Sequence, residues 1–164
     1  TVITPDVPPP RREAVLGVLR AFAAGQGKWG AAWRIHVWQL SGPPGEWDAQ
    51  LEEHYRRQPV FALLSGAGGA EWSPVHRFCE RRSVACVLPS VEAAPETGDD
   101  YYSVYFSPGI TLEARLLARH LQAPAADFRR LFQVVADDAG RRAAAAVKES
   151  LAGSTIAVEE LSPG

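Results

Sequence analysis

Apolar positions along this chain follow two alternating rhythms, one of helical and one of strand period. Ala14, Val15, Val18, Leu19, Phe22 and Ala23 recur at helical spacing and predict a helix over 12–24, stopped by Gly25, Gly27 and Gly30. Trp47, Leu51, His54 and Tyr55 do the same over 47–57, and Trp72, Val75, Phe78 and Cys79 over 71–82. Further helices are predicted over 111–121 and, rich in alanine, over 141–152. Between them lie short apolar runs bounded by Gly, Pro and Ser. These predict strands over 2–4, 34–40, 60–64, 84–88, 101–106, 130–136 and 155–158.

Strand and helix thus alternate from one end to the other. The runs over 60–64 and 84–88 are continuously apolar, as expected of parallel strands covered on both faces. The predicted fold class is α/β, a doubly wound, mostly parallel, Rossmann-like sheet with right-handed crossovers. Ligands in such sheets sit beyond the carboxyl ends of the strands. The loops to inspect are therefore 5–10, 41–46, 65–70, 89–100 and 107–110.

Composition narrows the function. The chain has 164 residues, of which 46% are apolar and 22% charged, an ordinary globular balance. Its net charge of −2 argues against a nucleic-acid partner. No window approaches the apolar length of a membrane span. The chain starts at Thr1 and contains no Met, as expected where a signal peptide or flanking region has been removed. Arginine far outnumbers lysine, which reads as coding bias. Cys79 and Cys86 form no CxxC pair, and His36, His54, His76 and His120 show no ligand spacing, so no metal site is expected. The two cysteines allow either a disulfide, in an exported protein, or two buried thiols.

The segment Ser65-Gly66-Ala67-Gly68-Gly69 follows a strand and precedes a helix. Free backbone amides and the helix dipole there favour a carboxylate or small polar ligand. A dinucleotide fingerprint fits less well, since Glu71 stands at its third position and Ser90 where the acidic residue belongs. A loop rich in glycine only for tight turning remains the third reading. Ser90 and Glu92, after the next strand, can hydrogen-bond a ligand, the alternative for Glu92 being a solvated loop charge. Asp99-Asp100 reads as a solvated turn, and Asp138 as a helix N-cap. No G-x-S-x-G elbow, activated cysteine or P-loop occurs, so no enzyme and no cofactor are expected.

The order of elements resembles the type I periplasmic solute-binding proteins of the branched-chain amino acid class, receptors that feed ABC importers. Val2-Ile3-Thr4-Pro5 resembles the opening strand and loop, and the stretch from Pro59 to Gly66 the third strand and ligand loop. Cys79 to Pro89 resembles the following helix–strand step, and Tyr102 to Leu121 the segment before the first hinge crossing. Phe132 to Asp138, with its alanine-rich helix, resembles the start of the second lobe. The resemblance implies a lobe-one domain over 1–122, a hinge over 123–127 and the first strand–helix–strand of lobe two over 128–164. It implies ligand contacts at Ser65, Gly68, Gly69, Ser90, Val91 and Glu92. It also implies periplasmic export, a small anionic or zwitterionic ligand held between lobes, and a membrane permease as partner. The alternative is a degenerate interaction or regulatory module of a larger exported protein. An α/β enzyme of flavodoxin-like topology is a third reading. A half-formed second lobe exposes apolar sheet edge, so dimerisation or swapping is expected.

Overall fold

The structure, a computed structural model, describes residues 1–25, 34–95, 100–123 and 128–161. It divides into two compact units, Thr1–Phe106 and Ser107–Gly164.

In the first unit the strands are β1 (Val2–Ile3), β2 (Trp38–Gln39), β3 (Ala62–Leu64), β4 (Ala85–Val87) and β5 (Ser103–Val104). β1 pairs with β2, and β3, β4 and β5 pair in that order, every pair parallel. A parallel bridge from Ile3 to Ala67 joins the two ladders. Thr4 N donates to Ala67 O at 3.0 Å and Ala67 N to Val2 O at 2.9 Å. The spatial order is thus β2-β1-β3-β4-β5, with the reversal of winding between β1 and β3. Crevices form at such switch points. The result is a parallel α/β sheet, as the alternation of elements predicts.

β3 and β4 begin one or two residues later than the apolar runs predict, and the chain bends directly after each. Ser65 (φ 47°) and Leu88 (φ 52°) adopt left-handed backbone directly after β3 and β4. Pairing resumes two residues later, at Ala67 and Ser90. Side chains pay a steric penalty in that region, and such residues concentrate at functional sites.

Helices α1 (Pro9–Gly25), α2 (Trp47–Arg57) and α3 (Ser73–Arg82) connect these strands. α1 opens on Pro9, whose fixed φ suits the first turn. α3 ends at Ser83 in left-handed conformation, its amide bonded to the Cys79 and Glu80 carbonyls. Trp38, Trp47, Leu51, Leu63, Trp72, Val75, Phe78, Cys79 and Cys86 form one buried core. The inward faces predicted for α2 and α3 agree with it. The face predicted for α1 does not. Leu16 and Leu19 are buried, whereas Val18 and Phe22 are 68% and 45% exposed. The apolar arc of α1 is wider than the strip that touches the sheet, and spacing alone does not say which half of it docks. Gly27 and Gly30 lie outside the described residues. Both cysteines are free, buried thiols. A hydrogen bond to Cys86, and then burial, push the Cys79 thiol far up, which keeps it protonated and unreactive.

The second unit comprises α4 (Ile110–Leu121), β6 (Arg130–Val134), α5 (Asp138–Ser150) and β7 (Ala157–Leu161), with β6 and β7 parallel over five residue pairs. Its core is Ala114, Ala118, Leu121, Ala146, Val147, Leu151 and Ile156. The helix at 110–121, expected with lobe one, therefore belongs with the later segment. Ala114 and Ala118 lie one turn apart and pack in the same cluster as Ala146 and Val147, where small side chains let helices approach closely. The expected hinge lies, apart from Ala123, outside the described residues. The N-cap of α5 is Asp137, not Asp138. Its Oδ1 accepts from Gly140 N at 2.7 Å, while Asp138 pairs with Arg141. No helix among the described residues is long and apolar enough to cross a membrane.

Candidate functional site

The parallel register brings three loops of the first unit to one sheet edge. They follow β1, β3 and β4. Ser90 N donates to Gly66 O at 2.6 Å, Gly68 N to Ser90 O at 3.1 Å, and Glu92 N to Gly69 O at 3.2 Å. Four of the six residues singled out in the sequence, Gly68, Gly69, Ser90 and Glu92, are thereby tied together. Ser65 stands at the left-handed bend just before them, its N bonded to Val87 O at 2.9 Å. Val91 is half-buried and packs against the core.

The glycines have a packing reason. A Cβ on Gly66 would lie 2.6 Å from the Trp72 ring, and one on Gly68 would overlap the same ring. A Cβ on Gly69 would overlap the Asp6 carboxylate. Trp72, which opens α3 and is fully buried, thus sits against the loop, and only glycine lets the backbone pass over it.

The amides expected to cradle an anion are largely committed elsewhere. Those of Ser65, Ala67 and Gly68 pair with neighbouring strands. At the start of α3, Ser73 N is capped by Glu71 Oε1 at 3.0 Å. The positive charge at this edge comes from Arg11 instead, in the first turn of α1. Its Nη2 donates to Ser90 O at 2.7 Å and to Ser90 Oγ at 2.9 Å. Opposite in charge is Asp6, in the loop after β1. The buried Thr4 hydroxyl donates to Asp6 Oδ1 and lies 3.4 Å from the Ala67 carbonyl. Asp6 is fixed over Gly69 and Arg11 over Ser90, each by a partner that leaves part of its polar group exposed.

Sequence reading missed Arg11 and gave Asp6 no ligand role. The signal was present, since both lie in or beside the Pro-rich loop after β1, which an α/β sheet places at its switch point. A cavity of about 350 Å³ lined by Thr1, Leu19, Phe22, Ile35, Val60 and Leu64, among others, lies at the amino ends of the strands. It belongs to the opposite edge from these loops.

The parallel α/β sheet has the fold seen in lobes of type I periplasmic solute-binding proteins. Solved structures carry the likeness in detail. An extracellular ligand-binding receptor from Verminephrobacter eiseniae matches 99% of this chain at 16% identity, with a TM-score of 0.61. A solute binding protein of an ABC transporter from Rhodopseudomonas palustris BisB5, in complex with 3,4-dihydroxybenzoic acid, matches 98% at 17% identity, with a TM-score of 0.67. The Cra transcriptional dual regulator of Pseudomonas putida, in complex with fructose 1-phosphate, matches 98% at 18% identity, with a TM-score of 0.53. This chain spans 49%, 46% and 56% of those three proteins. At these identities the likeness shows the fold. No protein-family model and no curated protein matches the sequence.

Proposed function

We propose that this chain is part of the solute-binding component of an ABC-type importer and takes a small anionic or zwitterionic ligand on the loops after β1, β3 and β4. The observation that carries the reading is the pair of opposite charges at the switch point. Arg11, anchored on Ser90, offers its remaining guanidinium donors to a carboxylate. Asp6, anchored on Thr4, offers an acceptor to an amine. Ser65, Gly68, Gly69, Ser90, Val91 and Glu92 form the floor and rim. In this reading the protein is no enzyme, acts in the periplasm and delivers its ligand to a membrane permease.

The test is a thermal-shift screen against amino acids, small aliphatic and aromatic carboxylates, amides and nucleotides, followed by calorimetry. Ligands that bind only the folded state raise its melting temperature. One carboxylate-bearing class is expected to do so. Arg11→Gln should weaken it by about tenfold or more, the usual loss for a charge-assisted hydrogen bond, and Ser90→Ala by less. A silent panel, or binding unchanged in both variants, overturns the reading.

A second reading, an interaction or regulatory module of a larger exported protein, is favoured by a different observation. On β6, Phe132 and Val134 are 52% and 66% exposed. In that case the panel is silent and sedimentation shows self-association that Phe132→Ser abolishes.

A further inference from the structure

The sequence reads Asp100 as a solvated turn and gives His76 no ligand spacing. The structure puts them together. His76, on α3, is only 2% exposed. Its Nε2 lies 2.9 Å from Asp100 Oδ1 and its Nδ1 2.8 Å from the Tyr105 hydroxyl. Glu80, one turn further along the same helix face, completes the group. One ligand atom from each of His76, Glu80 and Asp100 lies within 4.8 Å of the other two.

We propose that His76 Nε2, a Glu80 carboxylate oxygen and Asp100 Oδ1 form a binding site for a divalent cation of the zinc type. The donor set is one imidazole and two carboxylates, which suits a borderline cation, and it leaves a fourth position for water. Ligand atoms around a tetrahedral cation stand roughly 3.3 Å apart at bond lengths of about 2.0–2.1 Å. His76 and Asp100, now 2.9 Å apart, have to part by a few tenths of an ångström, and Glu80 has to move inward by about 1 Å or more.

The stronger argument is the set of groups behind the ligands. Metal-bound imidazoles have their other nitrogen hydrogen-bonded, and metal-bound carboxylates are themselves held by donors. Tyr105 does the first. Tyr105 holds Nδ1, and a cation bound by Nε2 and Asp100 would take the place of the proton these two share. The second is done by the backbone of the β4–β5 connection and its first strand residue. Glu80 accepts from Tyr101 N at 3.0 Å, from Tyr102 N at 3.1 Å and from Ser103 Oγ at 2.8 Å. The half-exposed Asp100 is the entry side. The cluster sits at the amino end of β5, away from the solute loops, so it stands or falls independently of the solute reading.

The test uses the full chain, stripped with a chelator and titrated with Co²⁺ as a spectroscopic probe, then with Zn²⁺ in competition. One equivalent of Co²⁺ should give visible d–d absorption that Zn²⁺ removes. Zn²⁺, but not Mg²⁺, should raise the melting temperature. Asp100→Asn, at a half-exposed position where folding is safe, and Glu80→Gln should each weaken Co²⁺ by about tenfold or more. Tyr105→Phe should weaken it within the roughly 10–100-fold range seen for such supporting groups. His76→Gln should abolish it, with circular dichroism reporting whether that variant folds. Absence of a Co²⁺ band and of a Zn²⁺ shift in the unmodified chain overturns the proposal. So does a band that Asp100→Asn leaves unchanged, because His36, His54 or His120 then holds the ion.

Discussion

The two units bury different kinds of core. In the first, Trp38, Trp47, Trp72 and Phe78 interlock between helices and a five-strand parallel array. Trp38 stacks on His54 at 5.5 Å, and Phe78 meets both Trp38 and Tyr55 edge-on. In the second, alanines of α4 and α5 touch, and the sheet is only two strands wide. Leu131 and Val158 pack inward while Phe132 and Val134, on the alternate face of β6, remain exposed. One unit closes its apolar surface with large rings. The other closes one side and leaves the second side open. Large rings carry more transfer free energy per residue and tolerate less loss. The first unit is thus the natural platform for a site that needs loops fixed to fractions of an ångström.

The contrast can be broken most forcefully at Phe78. Phe78→Ala should destabilise the first unit by about 3–5 kcal/mol, whereas Leu151→Ala should cost the second unit near the lower end of about 2–5 kcal/mol. Hydrogen exchange, read separately over each unit, measures both. Equal losses would mean that the alanine core is packed as demandingly as the aromatic one. A smaller effect is expected at the start of α5, where Asp137→Ala removes the bond to Gly140 N and should cost about 1 kcal/mol in thermal or urea unfolding. Asp138→Ala should cost less, which separates the cap from its neighbour. The smallest effect is expected on the open face of β6. Phe132→Ser should change stability by no more than about 0.5 kcal/mol. A loss above 1 kcal/mol would show that this face is covered in solution.

Much of the fold was legible because it depends on patterns that neighbours enforce. A helix with Trp72, Val75, Phe78 and Cys79 on one side has one way to face, whereas the apolar run from Val60 to Leu64 buries Leu63 but leaves Phe61 91% exposed, so continuous apolarity did not mean cover on both faces. The start of α4 was legible too, but not the unit it joins, since that depends on whether Ala114 and Ala118 meet alanines elsewhere. The site was legible only in part. Position along the chain placed Gly68, Gly69, Ser90 and Glu92 in loops at the ends of consecutive strands, and parallel pairing brings those loops together. It could not show that the glycines make room for Trp72 and Asp6, because that contact is made by backbone against a side chain. Arg11 was hidden by abundance, one arginine among fifteen. His76 and Asp100 lie too far apart in sequence for spacing to join them.

Parallel pairing also has a consequence in time. No strand of the first unit can pair with the next through a tight turn, so every pairing waits for a crossover to close. Leu63 meets Cys86 and Cys86 meets Ser103 across modest stretches of chain, while Val2 must find Trp38 and Ile3 must find Ala67. Longer closures cost more entropy before any contact repays them. The β3–α3–β4–β5 block is therefore expected to form first during folding and β1 to join last, so that the strand leading to Thr4 and Asp6 completes the sheet of the first unit.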